Sequence, residues 1–424
     1  MRIITVNPSD TVFSISREYN LSPQKIIDDN GLDENASLAV GQSLALLFPE
    51  QTYIPSEDEL LSSVAAKYGV SEKDLLRNNI FLGGRNYAPA GKEIVINYAS
   101  SPPGEKIITG YAYDFISGSL LDTVISYMTF LIPFTYGFTP GGDLIYPDDE
   151  NLIDAALNYS VKPLMHLSTL TANGVFSNEL AHELLSDENA VTNLIANCLE
   201  NIKRKGYYGI DIDFEYIFAE DKEAYVKFIR SMTETLNAEG FSCTVALPPK
   251  YANDQPGLLY EGIDYASLGF AANYVFLMTY EWGYRYGPPL AVAPVNSVRR
   301  IIEYALTVIP AEKILLGISN YGYDWPLPYE RGITSAVSIS TVEALETAVF
   351  YKAEISFDES AKAPFFFYTD EKGKEHVVWY EDARSFEAKV ALIEEYSLAG
   401  GGIWNLMREN PQGYVTLNSL MNIK

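Results

Sequence analysis

The 424-residue sequence predicts an α/β protein: a (β/α)8 TIM barrel with an α+β insertion between strands 7 and 8, preceded by two small βααβ modules. Three observations carry this. A segment near the N-terminus repeats at a spacing of 49 residues, eight apolar strand-like runs alternate with amphipathic helices after residue 106, and about 60 surplus residues separate the last two runs. At 47% hydrophobic and 20% charged, the chain has ample apolar mass for a large core, which excludes a disordered or collagen-like polymer.

The repeat comes first. DTVFSISREYNLSPQKIIDDNGL (10–32) aligns with ELLSSVAAKYGVSEKDLLRNNIF (59–81), pairing Ile15 with Val64, Tyr19 with Tyr68, Ile26 with Leu75 and Asn30 with Asn79. Gly41 and Gly91 then precede the β-like runs SLALLF and EIVINY. Ser22 and Ser71 sit where a second helix needs an N-cap, so each unit reads strand, helix, helix, strand. This pattern resembles the LysM module, which implies binding of N-acetylglucosamine-containing glycans such as peptidoglycan and chitin. The second unit departs from it, with Ser56-Glu57-Asp58-Glu59 in place of the usual Gly-Asp-Thr opening. The expected boundaries are 1–49, 50–98 and 99–424. The Pro/Gly/Ser stretch SSPPGEK (100–106) is the expected hinge between separately folding units.

The barrel strands follow in order. They are IITGYAY (107–113), MTFLIPF (128–134), KPLMHLS (162–168), YYGIDIDFE (207–215), SCTVALP (242–248), YVFLMTYE (274–281), KILLGIS (313–319) and GGIWNL (401–406). Helices are expected at 188–205, 221–238 and 294–308. The surplus falls between Tyr321 and Gly401. It is assigned to an insertion at about 325–384, with the β-like runs FFFYT (365–369) and HVVWY (376–380). Chemistry in such a barrel belongs to the C-terminal ends of its strands.

Charge and composition narrow the function. The 56 acidic against 30 basic residues give −26, a field that repels nucleic acid and anionic membrane. Cys198 and Cys243 form no disulfide framework, and His166, His182 and His376 have no metal-ligand spacing. The uncharged stretches 123–142 and 265–280 read as helix-then-strand passages, not as membrane spans. The opening MRIITVNPSDTVF lacks the apolar core of a signal peptide, so no Sec-type export is expected.

The segment YGIDIDFE (208–215) is the most informative. Asp211, Asp213 and Glu215 alternate, so on a strand they share one face at intervals of ~6.5–7 Å. Ile210, Ile212 and Phe214 face the helices. Three carboxylates this close cannot all ionise, and a carboxyl held protonated suits a general acid. The run resembles the DxxDxDxE signature of glycoside hydrolase family 18, with Tyr208 at the first acidic position. LMTYE (277–281) resembles that family's MxYD motif, with Met278 and Tyr280 matching and Glu281 replacing Asp. GGIWNL resembles its eighth strand, where Trp404 would floor the −1 sugar.

The resemblance implies retaining, substrate-assisted hydrolysis without metal or cofactor. Glu215 would be acid and base, Asp213 would hold the acetamido N–H, Asp211 would share its proton, and Tyr280 would bond the acetamido oxygen. Met278, Glu281 and Trp404 would bind substrate. The stretch 278–300 resembles the spore cortex-lytic N-acetylglucosaminidases. That implies peptidoglycan as partner and a spore coat or cortex location during germination, with cell-wall association as the alternative. A chitinase would share every barrel residue named, and a lectin-like binder would lack the acid that Glu215 supplies.

Overall fold

The computed structural model describes residues 1–33, 37–99, 104–171 and 174–424. In the first repeat, strands Arg2–Thr5 and Ser43–Leu46 pair antiparallel around helices Val12–Tyr19 and Pro23–Asn30. In the second, Pro49–Tyr53 pairs with Ile94–Tyr98 around helices Leu61–Tyr68 and Glu72–Asn78. The matched asparagines do the same work in both. Asn30 Nδ2 donates to Ile26 O and Ala45 O, each at 2.9 Å, and its Oδ1 accepts from Ala45 N. Asn79 repeats this with Leu75 and Val95 at 2.8 Å. Each ties the end of the second helix to the closing strand, with both the nitrogen and the oxygen of its own buried amide paired. The caps differ: Ser71 closes a capping box with Asp74, whereas Ser22 makes no side-chain cap and Pro23 opens the helix instead.

The repeats do not hang free of the barrel. Arg77 is 7% exposed and donates from Nε to Ser126 O at 2.6 Å and from Nη1 to Ile423 O at 3.1 Å. Tyr127 Oη returns a bond to Arg77 O at 2.8 Å, and Lys73 Nζ reaches Met128 O at 2.9 Å. Gly41 has φ +86° and lies so close to the insertion that a Cβ would stand 1.9 Å from Ile355 O. Only glycine fits there. Of the expected hinge, residues 100–103 lie outside the described residues, while Glu105 and Lys106 already belong to the first barrel strand. Across the expected boundary, buried hydrogen bonds fix the repeats to the barrel.

Eight parallel strands make the barrel: β1 (Glu105–Tyr113), β2 (Phe130–Phe134), β3 (Met165–Ser168), β4 (Gly209–Asp213), β5 (Ser242–Leu247), β6 (Tyr274–Leu277), β7 (Ile314–Ser319) and β8 (Gly400–Trp404). β1 pairs with β8, and the segment 162–168 closes the ring. Its first residues, Lys162–Pro163, pair with β2 and its later ones pair with β4. The repeats contact Ser126 to Met128, just before β2, and the final strand Asn422–Ile423, which pairs with the start of β1. That is the end of the barrel away from the strand C-termini.

The insertion is a five-stranded antiparallel sheet with one helix, Thr341–Tyr351. Its first strand is Gly322–Pro326, so it leaves the barrel three residues before the expected boundary. A buried ion pair, Glu381–Lys389 at 2.6 Å, anchors its return, with Ser319 Oγ donating to Glu381 at 2.9 Å. Among the described residues no helix is long and apolar enough to cross a membrane.

Candidate active site

The helix Glu188–Lys205 delivers β4. Asp187 caps its N-terminus, Lys203, Arg204 and Lys205 complement its C-terminal dipole, and Gly206 at φ +76° turns the chain into the strand. Just past the end of β4, Phe214 stacks on the outer side against Phe138, Tyr225 and Phe228 at 5.2, 5.7 and 5.4 Å between ring centres. This apolar clamp leaves the alternate residues to face the barrel interior. The strand itself ends at Asp213, so the expectation that all three acids are strand residues is corrected. Glu215 lies two residues beyond, half-buried, before Tyr216 at φ +59°.

Asp211 is fully buried, and its Oδ2 accepts from Tyr111 Oη at 3.0 Å. Burial, then the neighbouring charge of Asp213, pushes its carboxyl up to about 8 against that hydrogen bond. Burial likewise raises Asp213, and burial followed by the Asp213 charge raises Glu215 well above the carboxylate range. Asp211 Oδ1 and Asp213 Oδ1 have no hydrogen-bond partner among the described residues. The row is short of donors and holds protons near neutrality.

Asp213 and Glu215 open onto a cavity of about 410 Å³. Met278, Tyr280, Glu281 and Trp404 all line it, so the structure brings together every expected site residue except Asp211, which lies beneath the lining. Tyr280 and Trp404 are nearly parallel, 15° apart with centres 6.5 Å apart. The edges of Tyr111 and Phe134 brace the indole at 5.5 and 5.1 Å. An aromatic plate of this kind stacks against the apolar face of a pyranose. Glu281 adopts φ +67° and accepts hydrogen bonds from Tyr321 Oη and, at 3.1 Å, from Tyr323 Oη. Burial raises its pKa while both hydroxyls oppose the rise.

Sequence reasoning missed Tyr111, Tyr113, Phe134 and His166 as site residues, and with them the tyrosine pair on Glu281. Each of the four reads in isolation as core. The pair had a signal, since Tyr321, Tyr323 and Trp325 alternate on one strand face in YGYDW.

Comparison with known proteins gives this geometry its class. Residues 173–409 match the model of glycosyl hydrolases family 18, and residues 4–46 and 57–97 match the LysM domain. The chain belongs to glycosyl hydrolases family 18 and is a glycosidase. It is 36% identical over 432 residues to the cortical fragment-lytic enzyme of Bacillus subtilis, spanning 100% of this chain and 99% of that one. The crystal structure of the Bacillus megaterium spore cortex-lytic enzyme SleL superposes with a TM-score of 0.84 at 34% identity, covering 100% of this chain and 98% of that chain. A Chromobacterium violaceum chitinase matches with a TM-score of 0.69 at 25% identity, over 74% of this chain and 99% of its own.

Proposed function

We propose that this glycosidase hydrolyses β-1,4 N-acetylglucosaminide bonds of peptidoglycan, with spore cortex fragments released during germination as its substrate. Two relatives that match over essentially the whole chain, repeats included, are cortex-lytic enzymes, which favours cortex over chitin and a spore location. The observation that carries the chemistry is the proton-holding row Asp211, Asp213, Glu215, of which Asp213 and Glu215 open onto the cavity beside Tyr280 and Trp404.

In this reading Glu215, protonated because it is buried beside another acid, gives its proton to the glycosidic oxygen as the C1–O bond breaks. The carbonyl oxygen of the sugar's own 2-acetamido group attacks C1, forming an oxazolinium ion and retaining the anomeric configuration after hydrolysis. Asp213 accepts the acetamido N–H and balances the positive charge, with Asp211 sharing the pair's proton. Tyr280 donates to the acetamido oxygen. Glu215, now a carboxylate, takes a proton from the incoming water, which opens the ring and restores the acid. Trp404 floors the sugar, and Met278 and Glu281 border it. The two LysM units hold the polymer, and no metal or cofactor has a step.

The test digests cortex peptidoglycan fragments and chitin oligomers in parallel, with mass analysis of the new reducing ends and NMR of the first-formed anomer. The expected result is N-acetylglucosamine at the new reducing ends of cortex fragments, released as the β-anomer. Faster cleavage of chitin would move the substrate to chitin, and an α-anomer as first product would refute substrate assistance.

A further inference from the structure

The reaction above leaves His166, a buried polar group at its centre, without a role. His166 is 1% exposed on β3, in register with Asp211 on the neighbouring parallel strand, so both side chains face the barrel interior. Its Nδ1 lies 2.6 Å from Thr135 Oγ1. Its Nε2 faces the two acids, 3.6 Å from Asp211 Oδ2 and 3.9 Å from Asp213 Oδ2. The Phe134 ring covers the imidazole at 4.5 Å, and the Tyr111 ring meets it edge-on at 5.8 Å.

The groups that face the imidazole are few. β4 contributes Asp211 and Asp213, β1 the phenol of Tyr111, the end of β2 Phe134 and Thr135, and His166's own strand Ser168, which bonds Thr135 at 3.0 Å. Among the described residues neither aspartate forms an ion pair with lysine or arginine. Filling this space needs only an apolar ring, and burying two ring nitrogens costs hydration that a phenylalanine would not lose. The polarity is therefore tied to what the nitrogens face.

We infer that His166 is a positioning residue for the Asp211–Asp213 pair, its Nε2–H stabilising the one negative charge the pair carries when Asp213 engages the acetamido group. In this assignment Thr135 Oγ–H, which also lies 3.1 Å from Tyr136 O and 3.0 Å from Ser168 Oγ, turns to Nδ1 at 2.6 Å, so that Nε2 carries the proton and is aimed at the carboxylates. A shift of a few tenths of an ångström brings Nε2 from 3.6 Å into hydrogen-bond range. The imidazole acts as a neutral dipole, since burial drives its own pKa down to about 3. Tyr111 and His166 then serve the pair from different strands, one hydroxyl and one ring N–H in place of a cation.

This inference rests on the proposed reaction for its kinetic consequence but not for its structural one, and the experiment separates them. In full-length protein labelled with ¹⁵N-histidine, three histidines give a resolvable set of ring signals. His166 should stay neutral from about pH 5 to pH 8, protonated at Nε2, with its shifts following the ionisation of the pair. That pH response should shrink and move in Asp211→Asn, which leaves Asp213 as the only acid facing Nε2. A ring that titrates near ~6.5 like a free histidine, or shifts that ignore both pH and Asp211→Asn, would overturn the inference even if the glycan reading stands.

In turnover, His166→Phe should move the acidic limb of the kcat profile up by ~0.5–1 pH unit, with His166→Gln, which keeps an N–H, lying closer to wild type. A lower kcat with an unmoved limb means a packing role only and also overturns it. Absence of turnover in wild type would sink the proposed reaction, and the ring signals would still decide the role of His166.

Discussion

Asp211, Asp213 and Glu215 rise from one strand and its end, and Tyr111 is the side chain that hydrogen-bonds to Asp211. Glu281, at the same cavity, is gripped by Tyr321 and Tyr323. Burial raises the pKa of both groups, but only in the second do two hydroxyls oppose it. The difference separates two uses of a buried carboxyl. One left short of donors keeps its proton and can hand it over. One supplied with donors is held in place, and its value is where its oxygens stand.

The contrast is sharpest at Glu215. Glu215→Gln keeps the shape and removes the proton, so kcat should fall by ~10²–10⁴ while glycan binding is retained. Rate assays beside equilibrium binding check this, and a variant keeping a tenth of the rate would place the acid elsewhere.

The gripped acid should respond in the other parameter. Tyr321→Phe combined with Tyr323→Phe removes both donors from Glu281, each worth roughly 1 kcal/mol, so KM should rise ~5–20-fold with a smaller change in kcat. A kcat loss at constant KM would erase the difference between the two carboxyls.

The smallest effect is thermodynamic. The folded-state pKa of Asp211, about 8, lies above its unfolded value of about 4, so the folded state binds the proton more tightly. That contribution is full below about pH 4 and is lost as pH rises through about 8. Asp211→Asn has no proton to lose. Its Tm should exceed wild type by ~2 °C or more at alkaline pH and converge with it near pH 4. Equal melting curves across that range would mean that the acid is ionised without penalty.

The sequence declares the row because a period of two survives without neighbours, and YGIDIDFE carries it whole. It also declares the barrel, since alternating strands and helices need no long-range knowledge. What it hides is convergence. His166, Tyr111 and Phe134 sit on three strands, and nothing local in MHLS, GYAY or IPF separates a cavity lining from core. Arg77 and Lys73 were hidden for the opposite reason. On an amphipathic helix they read as solvated charges, and only the fold reveals the carbonyls of Ser126, Ile423 and Met128 that take them in.

Those carbonyls bear on how such a protein can be rebuilt by recombination. Arg77 joins a repeat, the approach to β2 and the last strand of the chain at one point, and Gly41 lets the first repeat close against the insertion. An exchange of repeats between relatives is thus a matching of two surfaces and not a splice at a linker. A donor repeat lacking arginine at that helix position leaves two buried carbonyls unpaired, a loss of ~1–3 kcal/mol, and one with any side chain at Gly41 collides with the insertion.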